Sequence, residues 1–155
     1  MKIIFKIFVP VLLLIFCFCF PTQAAVLNLA GDFHPVLSIN GQGEMYFKTS
    51  ENDVSISIDD LDNNTHWKLF ARCVMNSPFA EKLNCLIRRC SNGVGPGAVR
   101  GGWNNVSIKN SNTELFSGCG AIYDVKIQLE ISEIHADFPE GPFNINLVFR
   151  LVTFK

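Results

Sequence analysis

Apolar and polar residues alternate with a period of two along most of this chain. The clearest run covers residues 123–131. It sets Tyr123, Val125, Ile127, Leu129 and Ile131 against Asp124, Lys126, Gln128 and Glu130. Successive side chains of a strand point to opposite faces, so the run predicts a strand with one dry and one wet face. Val54, Ile56 and Ile58 alternate with Ser55, Ser57 and Asp59. Trp67, Leu69, Ala71 and Cys73 alternate with Lys68, Phe70 and Arg72, and Leu83, Cys85 and Ile87 with Asn84, Leu86 and Arg88. The last run sets Phe143, Ile145, Leu147, Phe149 and Leu151 against Asn144, Asn146, Val148, Arg150 and Val152, and continues to Phe154. Shorter strands are predicted at 36–39, 44–48, 105–109 and 114–116.

Turn-forming residues separate these runs. Asn40-Gly41-Gln42-Gly43, the Asp- and Asn-rich stretch 59–64 and Ser91-Asn92-Gly93 are the main ones, and a glycine-rich stretch holds Gly95, Gly97, Gly101 and Gly102. Such residues bond their own backbone or reach positive φ cheaply. Helical spacing never persists beyond one turn, with residues 76–82 the single candidate. Short alternating strands between turns predict an all-β, antiparallel β-sandwich.

The N-terminus has a different pattern. Lys2 and Lys6 precede an almost wholly apolar stretch, residues 7–20, and Thr22-Gln23-Ala24 leads to Ala25. This is the build of a secretory signal peptide over residues 1–24, with residues 25–155 as one mature domain. Losing Lys2 and Lys6 leaves 13 − 2 = 11 basic against 14 acidic side chains, a formal charge of −3. That balance supports neither nucleic-acid binding nor attraction to an anionic membrane. Cys17 and Cys19 leave with the signal, and Cys73, Cys85, Cys90 and Cys119 remain. An even number in an exported chain favours disulfides. Pairing across the 76–82 turn suggests Cys73–Cys85, which leaves Cys90–Cys119; the other connectivities stay open.

The search for chemistry mostly excludes it. His34, His66 and His135 are scattered, with no metal-ligand spacing among them. The stretch from Asp60 fails as a calcium loop, because Thr65 and Ala71 stand where glycine and glutamate are required. The cysteine spacing does not suit zinc. No Gly-x-Ser-x-Gly elbow is present, so a secreted hydrolase is a remote reading and no catalytic, cofactor or metal residue is assigned. Arg88, Arg89 and Arg100 are read as solvated positions near strand ends. Trp67 is read as core, and Trp103, after two glycines, as a surface position where a glycan or protein could bind. Asn63 and Asn105 match glycan acceptor patterns.

The terminal alternating strand, with Gly141 ahead of it and the aromatic Phe154 penultimate, resembles bacterial fimbrial or pilus subunits of the chaperone–usher kind. The resemblance implies an immunoglobulin-like sandwich lacking a strand and exported to the periplasm or cell surface. Phe143, Ile145, Leu147, Phe149, Leu151 and Phe154 would border a groove filled by a donated strand. A periplasmic chaperone, other copies or related subunits would be the partners, and residues 25–33 the segment this chain donates. The role implied is structural or adhesive, not enzymatic, in a mature form that is not membrane-embedded.

Overall fold

The computed structural model of the chain describes residues 24–42, 44–75, 83–134 and 145–155. Residues 1–23 of the predicted signal peptide, the single turn over 76–82, His135, Gly141 and Phe143 lie outside the described residues. Among the described residues eleven strands follow in order: β1 Val26–Gly31, β2 Val36–Ile39, β3 Met45–Lys48, β4 Val54–Asp59, β5 His66–Met75, β6 Asn84–Arg89, β7 Ala98–Arg100, β8 Val106–Ile108, β9 Thr113–Cys119, β10 Ile122–Ile134 and β11 Ile145–Phe154. They form two antiparallel sheets, the all-β architecture that the alternation predicts. The first runs β1-β4-β10-β3-β2, with β6 and β8 added on the other side of β10, and the second runs β11-β5-β9-β7.

The two sheets share one core. Val54, Ile56 and Ile58 of β4, Trp67, Leu69 and Ala71 of β5, and Val125 and Ile127 of β10 are all fully buried. These are the apolar members of the sequence alternation, turned inward by the pleat. Trp67 anchors the second sheet. Its indole Nε1 donates to the Gly120 carbonyl at 2.9 Å, so its one polar group is satisfied within the core. Gly118 makes room for it, because a Cβ there would collide with the indole and with the Ala98 carbonyl.

Strand β10 organises the first sheet. On one edge it pairs first with β4, through Ile122 to Ile127, and then with β3, through Glu130 to Ile134. On the other edge it pairs with β6. Thr49, at the handover from β3 to β4, donates its backbone N–H to the Leu129 carbonyl at 3.0 Å. Beside it, the buried Gln128 donates Nε2 to the Thr49 carbonyl at 2.7 Å and accepts from Arg88 Nε at 2.9 Å. A buried amide is tolerated because its polar atoms have partners.

One expected face is wrong. Tyr123 does not continue the inward row of β10: it is exposed, and Ile122 is buried instead. The register shifts between Ile122 and Val125, and Asp124 takes φ +56°. This bulge inserts an extra residue and reverses the alternation. Two strands carried no usable sequence signal. β1 alternates for only one step, and β7 lies inside the glycine-rich stretch.

Candidate functional site

Among the described residues, the sandwich is open along one side. β11 pairs with β5 over ten consecutive residues, and β5 is its only strand neighbour among the described residues. Across from it, β1 and β2 are edges of the first sheet, paired with β4 and β3 respectively. Between these edges runs a groove of about 690 Å³. One wall is Ile145, Leu147 and Phe149 of β11, and the floor is Phe47, Leu129 and Ile131 of the first sheet. The opposite wall comes from Leu29, Phe33 and Pro35, with Asp32 the one charged side chain among the described lining residues. Leu29 on the rim is 47 % exposed.

The predicted interface row divides accordingly. Ile145, Leu147 and Phe149 line the groove. Leu151 faces inward too, but packs against the core further along. Phe154 does not belong to that row. It lies an odd number of residues from Leu151, so the period of two turns it to the outer face, where its ring stacks on His66 with centroids 5.8 Å apart. Nothing in the sequence pointed to the far wall of the groove, because Leu29, Phe33 and Pro35 meet β11 only through the packing of the two sheets.

All four described cysteines are free thiols in the structure, so neither predicted disulfide is present as a bond. Cys73 and Cys85 nevertheless share the buried core, one from each sheet, and each shifts the other's pKa. A hydrogen bond from Cys85 holds the Cys73 thiol below its ordinary pKa despite burial. The same bond, then burial, pushes Cys85 far up. Cys90 and Cys119 are not brought together. Cys90 follows β6 on the outer side of the first sheet, among Arg88, Glu51 and Lys48. Cys119 ends β9 in the second sheet, in register with His66 and Ala98.

Arg100 is a solvated strand end, as expected, but Arg88 and Arg89 are not. Arg88 pairs with Glu51. Arg89 is 2 % exposed and donates Nε to the Gly101 carbonyl at 2.7 Å and Nη1 to Asn92 Oδ1 at 2.7 Å. Its guanidinium lies 4.1 Å from the ring centroid of Trp103, a cation–π stack that holds the glycine-rich stretch against β6. Burial lowers the Arg89 pKa, but a guanidinium stays charged across the ordinary pH range. Trp103 itself is half exposed, as its sequence position suggested. Arg100 is exposed. No family model, no curated protein and no solved structure matches the chain.

Proposed function

We propose that this protein is an exported, non-enzymatic structural or adhesive subunit whose immunoglobulin-like sandwich accepts a strand from another copy or a related subunit. The observation that carries the reading is the groove bordered by β11. The strand has one hydrogen-bonded neighbour among the described residues, and its inward row Ile145, Leu147 and Phe149 opens on an apolar channel. An unpaired strand edge offers N–H and C=O groups to an incoming strand, and the channel takes that strand's alternate side chains. A chaperone in the periplasm would protect the same edge before assembly. Within residues 25–33, the segment expected to donate, Val26–Gly31 pairs with β4 of its own chain, so donation to another copy competes with that pairing.

The test is thermal melting of the full chain, secreted with its own N-terminus, against a synthetic peptide copying residues 25–33. Specific capture raises Tm progressively with peptide concentration, by an amount equivalent to about 2.7 kcal/mol at a hundredfold excess over Kd. A peptide carrying Leu27→Asp and Leu29→Asp leaves Tm unchanged. A cooperative melt indifferent to both peptides, from a protein that stays monomeric, counts against strand acceptance.

A second reading rests on Trp103, a half-exposed indole held by Arg89 beside Gly101 and Gly102. It makes the domain a binding module for a glycan or a protein. Glycan-array binding that Trp103→Ala abolishes would favour it; equal binding by both forms, or none, removes it.

A further inference from the structure

The two buried cysteines stand directly behind the groove. Cys73 of β5 is in register with Leu147 of β11, which forms the groove wall. Cys85 of β6 is in register with Ile131 of β10, which forms the floor. Strand β8 ties the two together from the side. The Cys73 N–H donates to the Lys109 carbonyl at 2.9 Å, and Ile108 is the register partner of Cys85. Cys73 is 4 % exposed and Cys85 1 %, each on the inward face of its own sheet. Both thiols are free in the structure and belong to the same buried cluster, flanking β8 from its two sides.

We infer that Cys73 and Cys85 form an inter-sheet disulfide that fixes the distance between wall and floor of the groove, while Cys90 and Cys119 stay thiols. Its bearing on strand capture rests on the function proposed above; the bond itself does not. The oxidant is a small-molecule or protein disulfide. One cysteine thiolate attacks it, forming a mixed disulfide and expelling one oxidant thiolate. The second cysteine thiolate then attacks the mixed disulfide at the first cysteine's sulfur, so the Cys73–Cys85 bond forms and the second oxidant thiolate leaves. Two thiol protons and two electrons have passed from the chain to the oxidant, which departs as two thiols. Because both sulfurs are buried once the sheets meet, the exchange belongs to folding, before the core closes.

A bond here acts on the groove because wall and floor are each one strand from a bonded residue. The segment it closes, from Cys73 to Cys85, is short, so the gain in Tm over the chain without the bond is about 10 °C.

The experiment alkylates the full chain, secreted with its own N-terminus, under denaturing conditions without reductant, then maps the peptides. The expected result is alkylated Cys90 and Cys119 with a linked Cys73–Cys85 peptide. Four alkylated cysteines in the mature chain, or a link involving Cys90 or Cys119, overturns the inference. The second arm compares C73A/C85A with C90S/C119S in binding a labelled peptide of residues 25–33. Weakening of at least tenfold in C73A/C85A alone supports the groove-fixing role, and equal binding by both variants overturns it. A linked pair in a protein that captures no peptide in any form supports the bond and overturns the strand-acceptor function instead.

Discussion

Strands β10 and β11 carry almost the same sequence signal and meet different fates. Both alternate apolar and polar residues over long runs. In β10 the inward row is closed off: Val125 and Ile127 are 0 % exposed, with β4 and β3 on one edge and β6 on the other. In β11 the inward residues Ile145, Leu147, Phe149 and Leu151 are only half-buried, and β5 supplies the single strand neighbour among the described residues. Alternation thus reports that a strand has a dry face. It does not report how many neighbours complete its edges, because edge pairing uses backbone groups that every residue carries.

The sharpest way to break this comparison is to truncate matched side chains. Ile127→Ala leaves a cavity in a site walled on both sides and costs about 3 kcal/mol in urea denaturation. Arg89→Met comes next, at about 2 kcal/mol, because it removes the guanidinium's bonds to Gly101 and Asn92 and strips the stack from Trp103. A red shift of Trp103 emission in that variant would identify the freed loop as the cause. Leu147→Ala costs about 1 kcal/mol, since the groove beside it already admits water. That variant should nonetheless lose most of the Tm rise induced by the residue 25–33 peptide. Equal costs for Ile127→Ala and Leu147→Ala would show that β11 is as enclosed as β10 and would remove the groove from consideration.

The smallest effect is electrostatic and belongs to β10 alone. Lys126 bonds the Asp124 carboxylate at 2.7 Å and holds its pKa below the ordinary carboxylate value. A folded-state pKa lower than the unfolded one contributes stability that is present above the unfolded value and is lost as pH falls through the folded value. Acidification through the carboxylate range should therefore destabilise the wild type slightly more than Lys126→Met. Asp124 is exposed, so the difference is small and shrinks further in salt. Identical acid limbs in the two proteins would show that the pair is fully screened.

Several features were legible in the sequence for reasons that are local. Strands β4, β5 and β6 lie where the alternation predicts them, with Trp67 inward, because the pleat fixes side-chain direction residue by residue. The bulge at Asp124 was not legible, since reversing the face of Tyr123 depends on how β10 and β4 register against each other. Arg89 was read as solvated because charged residues near strand ends usually are. Its burial depends on Gly101 and Asn92 arriving as acceptors and on Trp103 covering it. Strand β7 was hidden by glycines that usually interrupt strands, and it forms because β9 offers it an edge.

The sequence by itself determined that this is an all-β chain with one dry row per main strand, and which residues fill those rows. Those are consequences of backbone geometry and of the transfer of apolar side chains from water, both readable over a few residues. Only the tertiary structure decided that β11 is an edge among the described residues, that Leu29, Phe33 and Pro35 stand across from it, and that Cys73 and Cys85 share the core while Cys90 and Cys119 lie outside it. These are long-range pairings, set by how two twisted sheets register and stack, and a period of two in the sequence is compatible with many such arrangements.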